Sequence, residues 1–154
     1  MAHGCAMGRA RIRRYAGSSK LGATMSEPPL VAIVDDDSSI RAGIQDLFLA
    51  AGLRASTFES AESFLESPLR RIVACLVADM RMDGMSGLDL HHRIVATGRA
   101  IPTILITAHP RDLTEARARE AGIRCYLKKP FTPDELLECV RAALLESHPQ
   151  FSFD

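Results

Sequence analysis

The stretch Ile72-Val73-Ala74-Cys75-Leu76-Val77-Ala78-Asp79 decides the fold. Its first seven residues are apolar, too few for a buried helix, and a carboxylate stops the run, which reads as a strand from Ile72 to Ala78 buried on both faces. The same pattern recurs on either side. Leu30 to Val34 is another apolar run ending in acids, Leu53 to Phe58 a second strand, Thr103 to Thr107 a fourth and Ile123 to Leu127 a fifth. Amphipathic segments fill the gaps: Ser38 to Ala51, with Ile40, Ile44, Leu47, Phe48 and Ala51 on one face and Gly52 closing it; Ser60 to Glu66; a helix through Leu90, Ile94 and Val95; a mostly polar helix from Asp112 to Ala121; and Pro133 to Leu145. Strict alternation of five such strands with five helices predicts an α/β domain, a doubly wound five-stranded parallel sheet covered on both faces. In such a sheet a ligand sits beyond the carboxyl ends of the strands, at the topological switch point.

The rest of the 154-residue chain sets limits. Apolar residues at 47% and charged ones at 25% fit one globular domain. The formal charge is zero, but residues 1–29 carry Arg9, Arg11, Arg13, Arg14 and Lys20 against Glu27 alone, which leaves +4 there and −4 on the remainder. A negative folded part argues against nucleic-acid binding by this domain itself. Residues 1–29 mix Gly, Ser, Ala and Arg without an apolar stripe and end in Pro28-Pro29, so they read as a disordered basic leader or a cloning remnant; 30–147 form the domain and 148–154 a C-terminal tail. No stretch is apolar enough for a membrane span or a secretory signal, so the expectation is a cytoplasmic protein without membrane contact. Cys5, Cys75, Cys125 and Cys139 are far apart, without a C-x-x-C or a histidine at metal-binding spacing, and are expected to be reduced thiols. His91 and His92 have no acidic ligand set near them and read as solvated helix residues.

Polar residues cluster where the fold puts a ligand. Asp35-Asp36-Asp37 follow the first strand, Asp79 the third, Thr107 ends the fourth, and Lys129-Pro130 come two residues after the fifth. Asp37 is suited to cap the first helix. Carboxylates converging from separate strands repel one another and call for a hard cation such as Mg²⁺. With a lysine in the same crevice, they suit a phosphoryl group in transfer, which needs positioning and charge neutralisation more than covalent help.

The segments VDDD at 34–37, LVADMRMDGMSGLDL at 76–90, ILITAH at 104–109 and YLKKPF at 126–131 together resemble the response-regulator receiver domain, over roughly residues 30–147. STFESAESFLES and RMDGMSGLDL are most similar to the FixJ-type transcription regulators. The resemblance implies a flavodoxin/CheY-like (βα)5 fold and a phosphorelay. Asp79 would be the phosphoacceptor, fed by a sensor histidine kinase. Asp36 and Asp79 would ligate Mg²⁺, or Mn²⁺ in its place, with Asp35 acting mainly through water and the backbone carbonyl of Arg81 as a further ligand. Lys129 would pair with the phosphoryl oxygens through a cis Lys129-Pro130 bond, which only Lys129, not Lys128, precedes. Thr107 and Tyr126 would be the switch residues, leading to a phosphorylation-dependent homodimer through the fourth helix, fifth strand and fifth helix. Arg81 and His109 occupy the positions that tune hydrolysis in the family, although His109 reads equally as a surface loop residue. Asp83 stands where the family loop commonly has proline, and is expected to face solvent.

Two other readings compete. A haloacid-dehalogenase-like phosphatase has its nucleophile in a D-x-D motif after the first strand, a spelling that Asp35-x-Asp37 satisfies, but Asp79 would then have no task. A receiver-like adaptor working without phosphorylation would ordinarily lack one of the key groups, and this chain keeps them all.

Overall fold

A computed structural model describes residues 12–14, 27–147 and 151–153. Five parallel strands, β1 (Leu30–Val34), β2 (Arg54–Phe58), β3 (Cys75–Asp79), β4 (Thr103–Thr107) and β5 (Cys125–Lys128), alternate with α1 (Ser38–Ala50), α2 (Ala61–Glu66), α3 (Gly87–Ala96), α4 (Glu115–Glu120) and α5 (Pro133–Ser147). The sheet order is β2-β1-β3-β4-β5. Strand order therefore reverses between β1 and β3, and the register Val34↔Ala78 places Asp35 and Asp79 side by side at the carboxyl edge.

Alternate residues of each central strand feed opposite cores. Val31, Ile33, Val77, Ile104 and Ile106 pack under α1 and α5 with Phe48, Leu136 and Val140. Ala32, Val34, Leu76, Ala78 and Leu105 pack under α2, α3 and α4 with Phe64, Leu90 and Ala118. Burial on both faces is why β1, β3 and β4 are nearly continuous apolar runs, whereas the edge strand β2 is half-buried throughout.

Capping fixes where the helices begin. The Asp37 carboxylate accepts from the backbone N–H groups of Ser39 and Ile40 at 2.9 and 3.2 Å, as its position predicts. Ser60 and Ser63 form a reciprocal capping box on α2. The Thr114 hydroxyl accepts from Arg117 N–H at 3.2 Å. That cap makes α4 shorter than the segment read from the sequence and leaves Asp112 and Leu113 in the preceding loop. Residues Ile72–Ala74 also lie outside β3; a 3-10 turn at Pro68–Arg71, capped by Ser67, comes before it and delays the strand.

Two expectations are corrected. First, His91 is not solvated. Only 4% exposed, it sits with Gly87, Leu90 and Ile94 on the buried face of α3, and that i, i+3, i+4, i+7 spacing was a signal for it in the sequence. Its Nε2 donates to the carbonyl of Ala121 at 2.8 Å, leaving Nδ1 of the neutral ring to accept from the Thr103 hydroxyl 3.0 Å away. Second, Cys125 and Cys139 form a disulfide, with Cα atoms 6.1 Å apart, because β5 and α5 bring together residues that are distant in sequence. Cys75 is a free buried thiol, as expected, and burial pushes its pKa up to about 12; Cys5 lies outside the described residues. Ile12–Arg14 and Phe151–Phe153 pair as a short antiparallel ribbon; the rest of 1–26 and 148–154, on which the expected basic leader and C-terminal tail fall, lies outside the described residues.

Burial lowers the pKa of His91, partly offset by its bond to Ala121 and reinforced by His92. The folded pKa is therefore below the unfolded one. Above about pH 6.5 both states hold a neutral ring; below it the unfolded chain takes up a proton that the folded chain resists, and stability declines. Melting temperature should thus fall between about pH 7 and 5.5 more steeply in the natural chain than in His91→Gln. Equal slopes would show that the steepness comes from another group.

Candidate functional site

Each site residue stands at the end of a strand or in the loop that follows. Asp35 is 2% exposed and Asp79 9%, held there by β1 and β3; Asp36, one residue further, faces solvent. One carboxylate oxygen from each of Asp35, Asp36 and Asp79 lies within 4.8 Å of the others. Hard oxygen donors at this spacing fit a small divalent cation. Asp37 is not among them, its carboxylate being used by the α1 cap.

The loops tighten the arrangement. Asp37 N–H donates to Asp35 Oδ1 at 2.9 Å and Asp83 N–H to Asp36 Oδ2 at 3.2 Å, so Asp83 touches the site through its backbone while its side chain is exposed. Gly87 opens α3 so close to β3 that an added Cβ would be 2.5 Å from the Asp79 carbonyl oxygen, which restricts this position to glycine. From β5, Lys129 Nζ reaches Asp79 Oδ2 at 3.4 Å, and the Lys129-Pro130 bond is cis, as the resemblance implied. Lys128 is exposed.

Thr107 is brought to the site but turned from it. Buried at the end of β4, its hydroxyl donates to the His109 carbonyl at 3.1 Å and accepts from His109 N–H at 3.0 Å. Tyr126 packs in the α2–α3–α4 core, and its hydroxyl donates to the Leu113 carbonyl. The Arg81 N–H is 3.4 Å from Asp79 Oδ1, while the guanidinium turns outward to Asp112. The His109 ring is exposed beside that carboxylate. Two carboxylates near the site were missed in the sequence: Asp112, read as the start of a helix, and Glu62, whose Oε2 accepts from Met85 N–H at 3.3 Å in the β3–α3 loop.

Burial, foremost, pushes the pKa of Asp35 up to about 6 from its usual 3.8; Asp79 and Asp36 add to the rise, and the Asp37 amide and Lys129 oppose it. The folded state therefore favours the protonated acid. Its ionisation costs stability above about pH 6 and nothing below the unfolded pKa of 3.8. Asp35→Asn, which keeps an oxygen for the Asp37 amide, should stabilise the cation-free protein by about 1–2 kcal/mol at neutral pH, a gain that vanishes toward pH 4. Denaturant titrations in chelator at the two pH values check this. A loss of stability at neutral pH would mean that the Asp35 charge is well compensated.

Comparison with known proteins agrees with this geometry. The family model "Response regulator receiver domain" matches residues 31–141. The response regulator protein TmoT of Ectopseudomonas mendocina is 33% identical over 92% of this chain and 67% of its own. Among solved structures, the response regulator StyR superposes with a TM-score of 0.73 at 39% identity, over 80% of this chain and 62% of that one. FixJ-N gives 0.68 at 30%, over 77% and 95%. The chain spans about half the length of several other curated relatives. With a (βα)5 sheet, the acidic crevice at its switch point and a family match across most of its length, this chain belongs to the response regulator receiver domains of two-component signalling systems.

Proposed function

We propose that residues 30–147 are a phosphoacceptor unit, in which Asp79 takes a phosphoryl group from the phosphohistidine of a sensor histidine kinase in the cytoplasm. The observation that carries this reading is the convergence of Asp35, Asp36 and Asp79 within 4.8 Å, with the Lys129 ammonium on Asp79. A carboxylate oxygen of Asp79 attacks phosphorus while the bond to the donor nitrogen breaks. Lys129 neutralises charge on the transferring oxygens and keeps Asp79 oriented. Asp35, Asp36, Asp79 and the Arg81 carbonyl would hold Mg²⁺, with Mn²⁺ as a substitute, and the ion would offset the repulsion between the acids and the incoming dianion.

The output follows from what Thr107 must release. To reach a phosphoryl group, its hydroxyl has to leave His109, which frees the β4–α4 loop and gives Tyr126 a reason to exchange Leu113 for the space behind Thr107. The affected face is α4–β5–α5, where the exposed Glu115, Arg117, Arg119 and Glu120 suit a two-fold contact between copies. Arg81 and His109 border the crevice and would set phosphate lifetime. The phosphatase reading loses ground because Asp37 is a helix cap and Asp79 stands in the carboxylate cluster.

With acetyl phosphate and Mg²⁺, followed by borohydride trapping, peptide masses should place the label on Asp79, and sedimentation with beryllofluoride and Mg²⁺ should show a dimer. Label on Asp35 or Asp37 would favour the phosphatase. A labelled Asp79 without any change in mass or in amide exchange of residues 108–128 would remove the proposed output route.

A further inference from the structure

We propose that Arg81 and Asp112 are a positioning pair, which holds the β4–α4 loop in its resting setting and slows acceptance of the phosphoryl group by Asp79; this rests on the reading of Asp79 as the acceptor. Arg81 Nε and Nη2 donate to Asp112 Oδ2 and Oδ1 at 2.6 and 2.8 Å, so one planar group binds both oxygens of the other. Arg81 comes two residues after Asp79, and Asp112 lies in the loop after β4. Among the described ion pairs, this one joins the two loops that border the crevice; Arg54–Glu27 and Arg124–Glu146 lie elsewhere, and Lys129–Asp79 is within the site.

The placement gives the fork its consequence. Residues 108–114 are tied down at three points: His109 to the Thr107 hydroxyl, Asp112 to Arg81, and Leu113 to the Tyr126 hydroxyl. The first and third belong to the switch residues. The second adds a restraint that neither Thr107 nor Tyr126 supplies, anchored in the loop that directly follows the acceptor. Arg81 is largely exposed and Asp112 mostly covered, so the pair adds little to overall stability. What a two-point fork does supply is direction, because it fixes the loop relative to Asp79.

A phosphoryl group on Asp79 brings about −1.5 to −2 charges and new acceptor oxygens next to Arg81. They compete with Asp112 for the guanidinium and repel its carboxylate, so the fork weakens as the site fills. Coupling is reciprocal: if phosphorylation loosens the fork, removing the fork favours the loop state of the phosphorylated chain.

The test is a cycle of Arg81→Gln, Asp112→Asn, the double variant and the charge swap Arg81→Asp with Asp112→Arg. Two quantities are read: the initial rate of Asp79 labelling by acetyl phosphate with Mg²⁺, and amide exchange of residues 108–114 without any phosphodonor. Each single change should raise the rate about threefold to tenfold and speed the exchange. The double variant should do no more than either single one, and the swap should return both readouts toward the natural chain. Additive effects would overturn the proposal, as would unchanged exchange, or a rate that responds to Arg81→Gln but not to Asp112→Asn, which would place Arg81 on the phosphoryl group directly. Absence of label on Asp79 in the natural chain would instead refute the acceptor reading, and the exchange data would still decide the fork.

Discussion

Everything at the carboxyl edge of the sheet depends on one electrostatic constraint: three carboxylates occupy one crevice. The order β2-β1-β3-β4-β5 makes β1 and β3 neighbours, so their terminal acids meet. Sequence then dictates that Asp36 joins them and that Asp37 turns away to cap α1. Burial raises the cost of ionising Asp35, and the Lys129 ammonium offsets only part of the accumulated charge. A site built in this way is poised for a cation and for an anion carried in with it, which is the condition that phosphoryl transfer sets. The apolar strands beneath provide the rigidity, packed on both faces by two separate cores.

Around the crevice the structure is held less firmly. Thr107 and Tyr126 are bound to backbone atoms of the β4–α4 loop instead of to Asp79, and α4 is a six-residue helix in which Ala118 alone is buried. Short, weakly anchored elements next to a charged site are those that can be moved by small energies. At its other end α4 is tethered more firmly, by the bond from His91 to the Ala121 carbonyl. Side-chain bonds thus hold α4 at both ends, through the preceding loop on one side and through His91 on the other.

Much of this was legible in the sequence, and the reasons for the rest are physical. Strand ends could be read because each apolar run stops at a polar residue: Val34 at Asp35, Ala78 at Asp79, Leu127 before Lys129. That is why Asp35, Asp36, Asp79, Thr107 and Lys129 were placed together and the fold was recognised. Features that depend on packing between distant elements were hidden. Cys125 and Cys139 meet only because α5 returns over β5, and Asp112 finds Arg81 31 residues away only because Thr114 starts α4 late. His91 was the exception, since its spacing from Leu90 and Ile94 already put it on the buried face. Fold alone does not give function, so the family match is informative because it coincides with a cluster of three carboxylates at the switch point.

The central claim is that the acidic crevice is destabilising by itself and becomes favourable when a cation fills it. Thermal melting across a Mg²⁺ titration tests this directly, with the natural chain compared to Asp79→Asn, Asp36→Asn and Asp37→Asn. The account predicts that Asp79→Asn melts higher than the natural chain without Mg²⁺ and gains little on its addition. Asp36→Asn should respond to Mg²⁺ at least about tenfold more weakly in concentration, whereas Asp37→Asn, outside the cluster and still a capable cap, should respond nearly as the natural chain does. Equal Mg²⁺ responses in all four proteins would contradict it.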